Sequence, residues 1–135
     1  MTNNNIYFVA NWKMFGDIKS LKSLNKVIKL SNSKKFKNNK ILYCPPYTLL
    51  DKFVEKTKKT RINICAQDCH FDLSSDAYTG SISSKQIKNI GAKYVILGHS
   101  EKRNEGDKNE IINKKIKSAI KSKLKVILCI GESLI

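Results

Sequence analysis

The sequence predicts an α/β chain built on a parallel sheet, either an open doubly wound sheet or part of a closed barrel. Three observations carry that reading. Short β-rich apolar runs alternate with longer amphipathic stretches, several runs are apolar at consecutive positions as in strands covered on both faces, and polar residues suited to chemistry gather just after the runs. Parallel neighbours need crossover connections, which are right-handed in nearly all proteins, and that leaves these two architectures.

The first strand is read at Ile6 to Ala10. After it, Ile18, Leu21, Leu24, Val27 and Ile28 recur at three- and four-residue steps with lysines on the other face, which predicts an amphipathic helix. A second strand, Ile41 to Cys44, runs into Pro45-Pro46, and proline suits the entry of the helix predicted over Tyr47 to Thr57, whose apolar stripe is Leu49, Leu50, Phe53 and Val54. Ile62 to Ala66 forms the third strand and Gln67 to Ser83 a long loop. Ser83 and Gln86 have capping-box spacing, and Gly91 suits the left-handed end of the short helix they open. The fourth strand is Tyr94 to Leu97. A helix carrying Ile111, Ile112, Ile116, Ala119 and Ile120 then leads to a fifth strand, Val126 to Ile130. No linker or low-complexity tract interrupts this order, so residues 1–135 read as a single domain.

Composition excludes several classes. With 135 residues, 41% hydrophobic and 27% charged, the chain is globular rather than disordered and long enough to bury a core. No apolar run reaches membrane-spanning length, and the start, Met1 to Phe8, lacks the basic and apolar regions of a signal peptide, so the expectation is a soluble cytoplasmic chain with no membrane partner. The formal charge of +15 comes from 24 lysines and two arginines against 11 acids. The lysines are dispersed along helical faces, including Lys114, Lys115, Lys117 and Lys121, and read as solvated surface; guanidinium forks for base edges are nearly absent, so no specific nucleic-acid partner is expected. The bias towards Lys, Ile and Asn fits genome base composition.

Cys44, Cys65, Cys69 and Cys129 include no CxxC pair, and Cys65, Cys69 and His70 do not have zinc spacing. Reduced thiols are therefore expected, those in apolar runs packing as small hydrophobes, with no metal site. Dinucleotide, P-loop and serine-hydrolase signatures are missing, which favours small-molecule chemistry without a cofactor.

Function in βα architectures collects where strands end. At the first such junction, Ala10-Asn11-Trp12-Lys13-Met14, the Lys13 ammonium is placed to anchor a phosphate or carboxylate. At the fourth, Leu97-Gly98-His99-Ser100-Glu101-Lys102-Arg103, a histidine faces the mouth of the sheet ahead of a helical turn whose N–H groups disfavour imidazolium; a neutral ring can polarise a substrate carbonyl. Glu101 is able to pair with Lys13 and hold its head group. The Gln67 to Ser83 loop, with Tyr78 near its tip, is either a partner-docking finger or an ordinary solvent loop, and His70 within it is given no catalytic role.

These stretches, together with Tyr78-Thr79-Gly80 and Ile127-Leu128-Cys129-Ile130-Gly131-Glu132, occur in the order of the triosephosphate isomerase family, which the chain resembles over essentially its whole length. The resemblance implies a (β/α)8 TIM barrel of which this chain covers β1 to β5. It implies that Asn11 and Lys13 bind substrate, that His99 is the catalytic electrophile beside Lys13, and that Ser100 and Glu101 support it. The family interconverts dihydroxyacetone phosphate and glyceraldehyde 3-phosphate through an enediolate, in glycolysis and gluconeogenesis, with no cofactor or metal. Pairing a neutral histidine with a glutamate base is a known property of the family.

The resemblance also implies a homodimer in which the third loop, through Tyr78 and Thr79, enters the neighbouring subunit, although Asp76 and Ser81 replace a usual glycine and glutamate. The segment from Arg103 to Lys115 is one residue shorter than usual. The family's catalytic glutamate and phosphate-closing loops lie after the fifth strand, so the chain alone is expected to be inactive, with exposed edges on its first and last strands. The leading expectation is an N-terminal portion of such an isomerase. The alternative is a shortened, non-catalytic barrel relative acting as a binding or assembly module.

Overall fold

A computed structural model describes residues 6–72 and 77–131. Asp76, Glu132 and Ile135 lie outside the described residues. The chain divides into two compact units, Met1–Gln67 and Asp68–Ile135.

The first unit holds β1 (Ile6–Asn11), β2 (Asn39–Cys44) and β3 (Asn63–Ala66). β2 is the middle strand of the three. It runs parallel to β1, with Ile6 opposite Asn39 and Asn11 opposite Cys44, and parallel to β3, with Leu42 opposite Asn63. Leu42, Cys44, Ile64, Cys65 and Ala66 are buried, as consecutive apolar positions require. Helix α1 (Leu24–Ser31) follows a 3-10 segment, Ile18–Ser23, so the single amphipathic helix expected from Ile18 is corrected. Asp17 and Ser20 cap one another, with the Asp17 carboxylate accepting from the Ser20 amide at 3.0 Å, and this closes a tight turn in which Ile18 stays exposed. Helix α2 (Tyr47–Thr57) begins after Pro46 as expected and buries Leu49, Leu50 and Phe53. Trp12 meets the Phe53 ring edge-on at 5.1 Å. Gly16, at φ +105°, lies so close that a Cβ there would sit 2.7 Å from the Trp12 ring, so the turn after β1 requires glycine.

β1 is apolar yet half exposed: Ile6, Tyr7, Phe8 and Val9 are 41–58% accessible, whereas every residue of the similarly apolar β4 (Tyr94–Leu97) is buried. Among the described residues β1 pairs on one side only, with β2. An apolar groove of about 360 Å³, lined by Phe8, Val9, Val27, Leu30, Phe36 and Tyr43, opens beside it.

The second unit contains α3 (Ser84–Asn89), β4, α4 (Ser100–Asn104), α5 (Asn109–Lys121) and β5 (Lys125–Leu128). β4 and β5 are parallel, with Tyr94 opposite Lys125 and Leu97 opposite Leu128. The strand expected to Ile130 therefore ends two residues early, at Leu128, level with the end of β4 at Leu97, and two helices rather than one lie between β4 and β5. The capping box is formed: the Ser83 amide donates to Gln86 Oε1 at 2.8 Å, and Ser83 Oγ accepts from the Gln86 amide at 3.2 Å. Ser84 Oγ lies 2.8 Å from the hydroxyls of both Ser118 and Ser122, which fastens α3 to α5.

Lys115 corrects the reading of the last helix's lysines as uniformly solvated. It is only 7% accessible, and its ammonium donates to Asp68 at 2.8 Å and to Asp107 at 2.6 Å. One cation thus ties the segment after β3 and the entry of α5 to the helix body. Burial opposes this charge, but the hydrogen bonds to Asp107 and Asp68 outweigh it and hold the ammonium above the ordinary 10.5. A group whose folded pKa is raised stabilises fully below its unfolded pKa and loses that contribution as pH rises through the folded one. Stability measured by urea unfolding is therefore expected to be insensitive to Lys115 up to about pH 10.4 and to fall above it. Asp107→Asn removes one of the two hydrogen bonds that raise the folded value and should make that fall smaller, with the same starting pH; an unchanged alkaline limb in this variant would contradict the assignment.

The cysteines are free thiols. Cys44 and Cys65 pack as expected; Cys129, in an apolar run, is only half buried, while Cys69 in the loop is fully buried. Burial, reinforced by the Asp68 carboxylate, pushes the Cys69 thiol up to about 12, so it stays protonated and inert at neutral pH. Among the described residues no helix is long and apolar enough to cross a membrane.

Candidate active site

Asn11 is the last residue of β1, and its side chain reaches forward: Oδ1 accepts the Lys13 amide at 2.9 Å. Lys13 has φ +53°, in the left-handed region, which costs a non-glycine residue about 1–2 kcal/mol. The surroundings hold it there. Trp12 donates its amide to the Cys44 carbonyl at 3.1 Å, and Gln67 Nε2, at the end of β3, donates at 2.7 Å to the carbonyls of both Lys13 and Cys44. Three strand ends are thereby joined around one strained lysine, the kind of over-determined conformation that collects at functional positions. Gln67, which follows β3 directly and braces the Lys13 turn, is a candidate site residue that sequence reading did not single out.

At the end of β4 the chain turns at Gly98, φ +73°, where a Cβ would meet Arg103 Nη2 and the Cys129 carbonyl, each at 3.1 Å. His99 then caps α4 with its own ring, Nδ1 accepting from the Glu101 amide at 3.4 Å. Glu101 Oε2 also lies 3.2 Å from Nδ1. The two contacts ask for opposite states, because the amide needs a lone pair and the carboxylate needs a proton. The amide is fixed by the helix, whereas the carboxylate sits on a rotatable side chain that is 54% accessible, so the helix-fixed contact favours Nδ1 as acceptor, the arrangement that leaves Nε2 as the donor of a neutral ring. The His99 side chain is 25% accessible, and Ser100 opens α4 on the exposed side.

The third loop gives Tyr78 and Thr79 exposed positions. The Tyr78 ring packs on His70 at 4.2 Å, and His70 Nδ1 accepts the Asp72 amide at 3.2 Å, so this histidine is occupied in shaping the loop. The structure thus joins Asn11 with Lys13 and His99 with Glu101, and sets Tyr78 beside His70 and Phe71.

Parallel strands followed by helices, with a strained lysine at the carboxyl end of β1 and an oriented histidine at that of β4, are the features of the βα class of folds, in which function collects at strand ends. Comparison with known proteins resolves the class further. The profile of the family described as triosephosphate isomerase matches residues 6–135. The chain is 42% identical over 128 residues to the triosephosphate isomerase of Alkaliphilus oremlandii, covering 93% of this chain and 50% of that protein. It is 43% identical over 126 residues to that of the Wolbachia of Brugia malayi, covering 93% and 51%. The crystal structure of triosephosphate isomerase from Bartonella henselae superposes with a TM-score of 0.86 at 33% identity, over 95% of this chain and 52% of that one. The chain belongs to the triosephosphate isomerase family. Its fold is that of an incomplete (β/α)8 TIM barrel, and it spans about half the length of the relatives it matches.

Proposed function

We propose that this chain supplies the substrate-holding and electrophilic side of a triosephosphate isomerase site, acting on dihydroxyacetone phosphate and glyceraldehyde 3-phosphate. The observation that carries the reading is the pair of oriented groups at the ends of β1 and β4: Lys13 in its held left-handed conformation and His99 with Nδ1 engaged by the Glu101 amide. In this reading Asn11 and Lys13 hold the substrate, and the Lys13 ammonium offsets the negative charge that grows on the substrate oxygens as a proton leaves carbon. His99 donates its Nε2 proton to those oxygens and so favours the enediolate over the ground-state carbonyl, which is transition-state stabilisation rather than tighter substrate binding. Ser100 and Glu101 shape the turn that presents the ring.

The base that removes the carbon-bound proton and the loops that close over the phosphate belong, in this reading, to the part of the fold after the fifth strand. A positioned base is worth about 10²–10⁴ in rate, and loop closure adds exclusion of water. The chain alone is accordingly proposed to bind triose phosphate weakly and not to turn it over. The exposed Tyr78–Thr79 tip is proposed as the contact with a second subunit, in a cytoplasmic homodimer working in glycolysis and gluconeogenesis.

Titrating dihydroxyacetone phosphate into the isotopically labelled chain tests the site. Chemical-shift changes are expected at Asn11, Lys13 and His99, with none at His70. Changes confined to the exposed lysines of α1 and α5 would reject this assignment and leave only nonspecific anion attraction.

A further inference from the structure

We infer that Arg103 is a positioning residue for His99. Its backbone amide donates to the His99 carbonyl at 3.0 Å, and its side-chain Nε donates to the Gly98 carbonyl at 2.8 Å. One residue therefore holds the carbonyls on both sides of the histidine. The Gly98 carbonyl belongs to the peptide that enters His99, so fixing it fixes that peptide plane and the direction in which the His99 side chain leaves the backbone.

The rest of the guanidinium anchors this clamp to its surroundings. Nη2 donates to the Cys129 carbonyl, just past β5, at 3.2 Å, and Nη1 donates to Asn109 Oδ1, at the first residue of α5, at 2.8 Å. The Cys129 amide in turn donates to the Leu97 carbonyl at 2.9 Å, which ties the end of β5 to β4 one residue before the turn. Gly98 leaves the room this requires, since a Cβ there would press on Nη2 at 3.1 Å. A planar fork with five N–H donors can serve three acceptors at fixed angles; a lysine ammonium is a point charge on a flexible stem and cannot hold all three in one geometry. The consequence falls on the imidazole. The Glu101 amide selects the Nδ1-acceptor tautomer only if the ring stays within reach, and the present 3.4 Å leaves little margin for rotation of the Gly98–His99 peptide.

The inference rests on reading His99 as the electrophile, but its test observes the ring directly, so a chain that never isomerises triose phosphates leaves the result interpretable. The 135-residue chain has two histidines, His70 and His99, so its imidazole nitrogen NMR spectrum is short, and the histidine variant His99→Gln assigns it. In the wild type, His99 is expected as a single tautomer with Nδ1 unprotonated. Arg103→Met should populate the second tautomer or average the two His99 nitrogens while leaving the His70 signals in place, and Arg103→Lys should restore the wild-type pattern only in part. A global loss of structure would move both histidines, so His70 separates positioning from folding. If Arg103→Met does not fold, Asn109→Ala, which removes one anchor and keeps the guanidinium, should still broaden or shift His99 alone. A wild-type His99 pattern in folded Arg103→Met, or in both Arg103→Lys and Asn109→Ala, would overturn the inference.

Discussion

Exchanging His99 for Gln, or Lys13 for Ala, is expected to lower kcat for triose phosphate isomerisation by about 10²–10³ in a protein where this chain has been completed. A suitable host is a chimera in which residues 6–131 replace the matching segment of the Alkaliphilus oremlandii relative, which is 42% identical over 128 residues. The two losses should differ in kind. Lys13→Ala removes a charge that both holds the substrate anion and answers the enediolate, so KM should rise as kcat falls. His99→Gln keeps a hydrogen-bond donor of similar reach but not the oriented Nε2–H, so its loss should appear mainly in kcat. Steady-state kinetics in both directions separate these outcomes, and unchanged kinetics in both variants would remove Lys13 and His99 from the mechanism.

The largest stability effect is expected at Lys115, whose side chain is 8% accessible between carboxylates that are 17% and 15% accessible. Lys115→Met removes the ammonium that both Asp68 and Asp107 bind, and breaking such an interaction costs about 3–5 kcal/mol when fully buried. The residual exposure of the two acids places the expected loss near the lower end, about 3 kcal/mol, read from urea unfolding at neutral pH. Converting both acids to Asn in the Lys115→Met background should recover much of it, because the penalty lies in two part-buried negative charges that have lost the ammonium between them. If Lys115→Met unfolds at the wild-type midpoint, the triad contributes nothing to the fold.

Local signals in the sequence are legible where the structure they specify is local. Tyr47–Thr57 is a helix with Pro46 before it, and the Ser83 and Gln86 box forms as its spacing requires, because neither depends on distant residues. The stretch from Ile18 to Ile28 was ambiguous in principle: 3-10 and α segments share the three-residue step, and the Asp17–Ser20 cap that chooses between them is a side-chain geometry. Asn11, Lys13 and His99 stood out as polar residues following apolar strands. Gln67 and Arg103 did not, since they donate to backbone carbonyls, those of Lys13 and Cys44 for Gln67 and those of Gly98 and Cys129 for Arg103, and any residue type presents such a carbonyl. Lys115 looked like one more lysine on a solvated helix until Asp68, 47 residues earlier, was brought beside it. The contrast between exposed β1 and buried β4 was equally hidden within the strands themselves, whose apolar compositions are similar; it follows from what packs on each.

The most direct measurement of the account is a coupled isomerase assay, run side by side on the 135-residue chain, on the chimera and on its His99→Gln variant. The account predicts no turnover above background for the chain, turnover by the chimera, and a drop of about 10²–10³ in kcat on losing His99. A folded chimera without activity, or a chimera indifferent to His99, would contradict it.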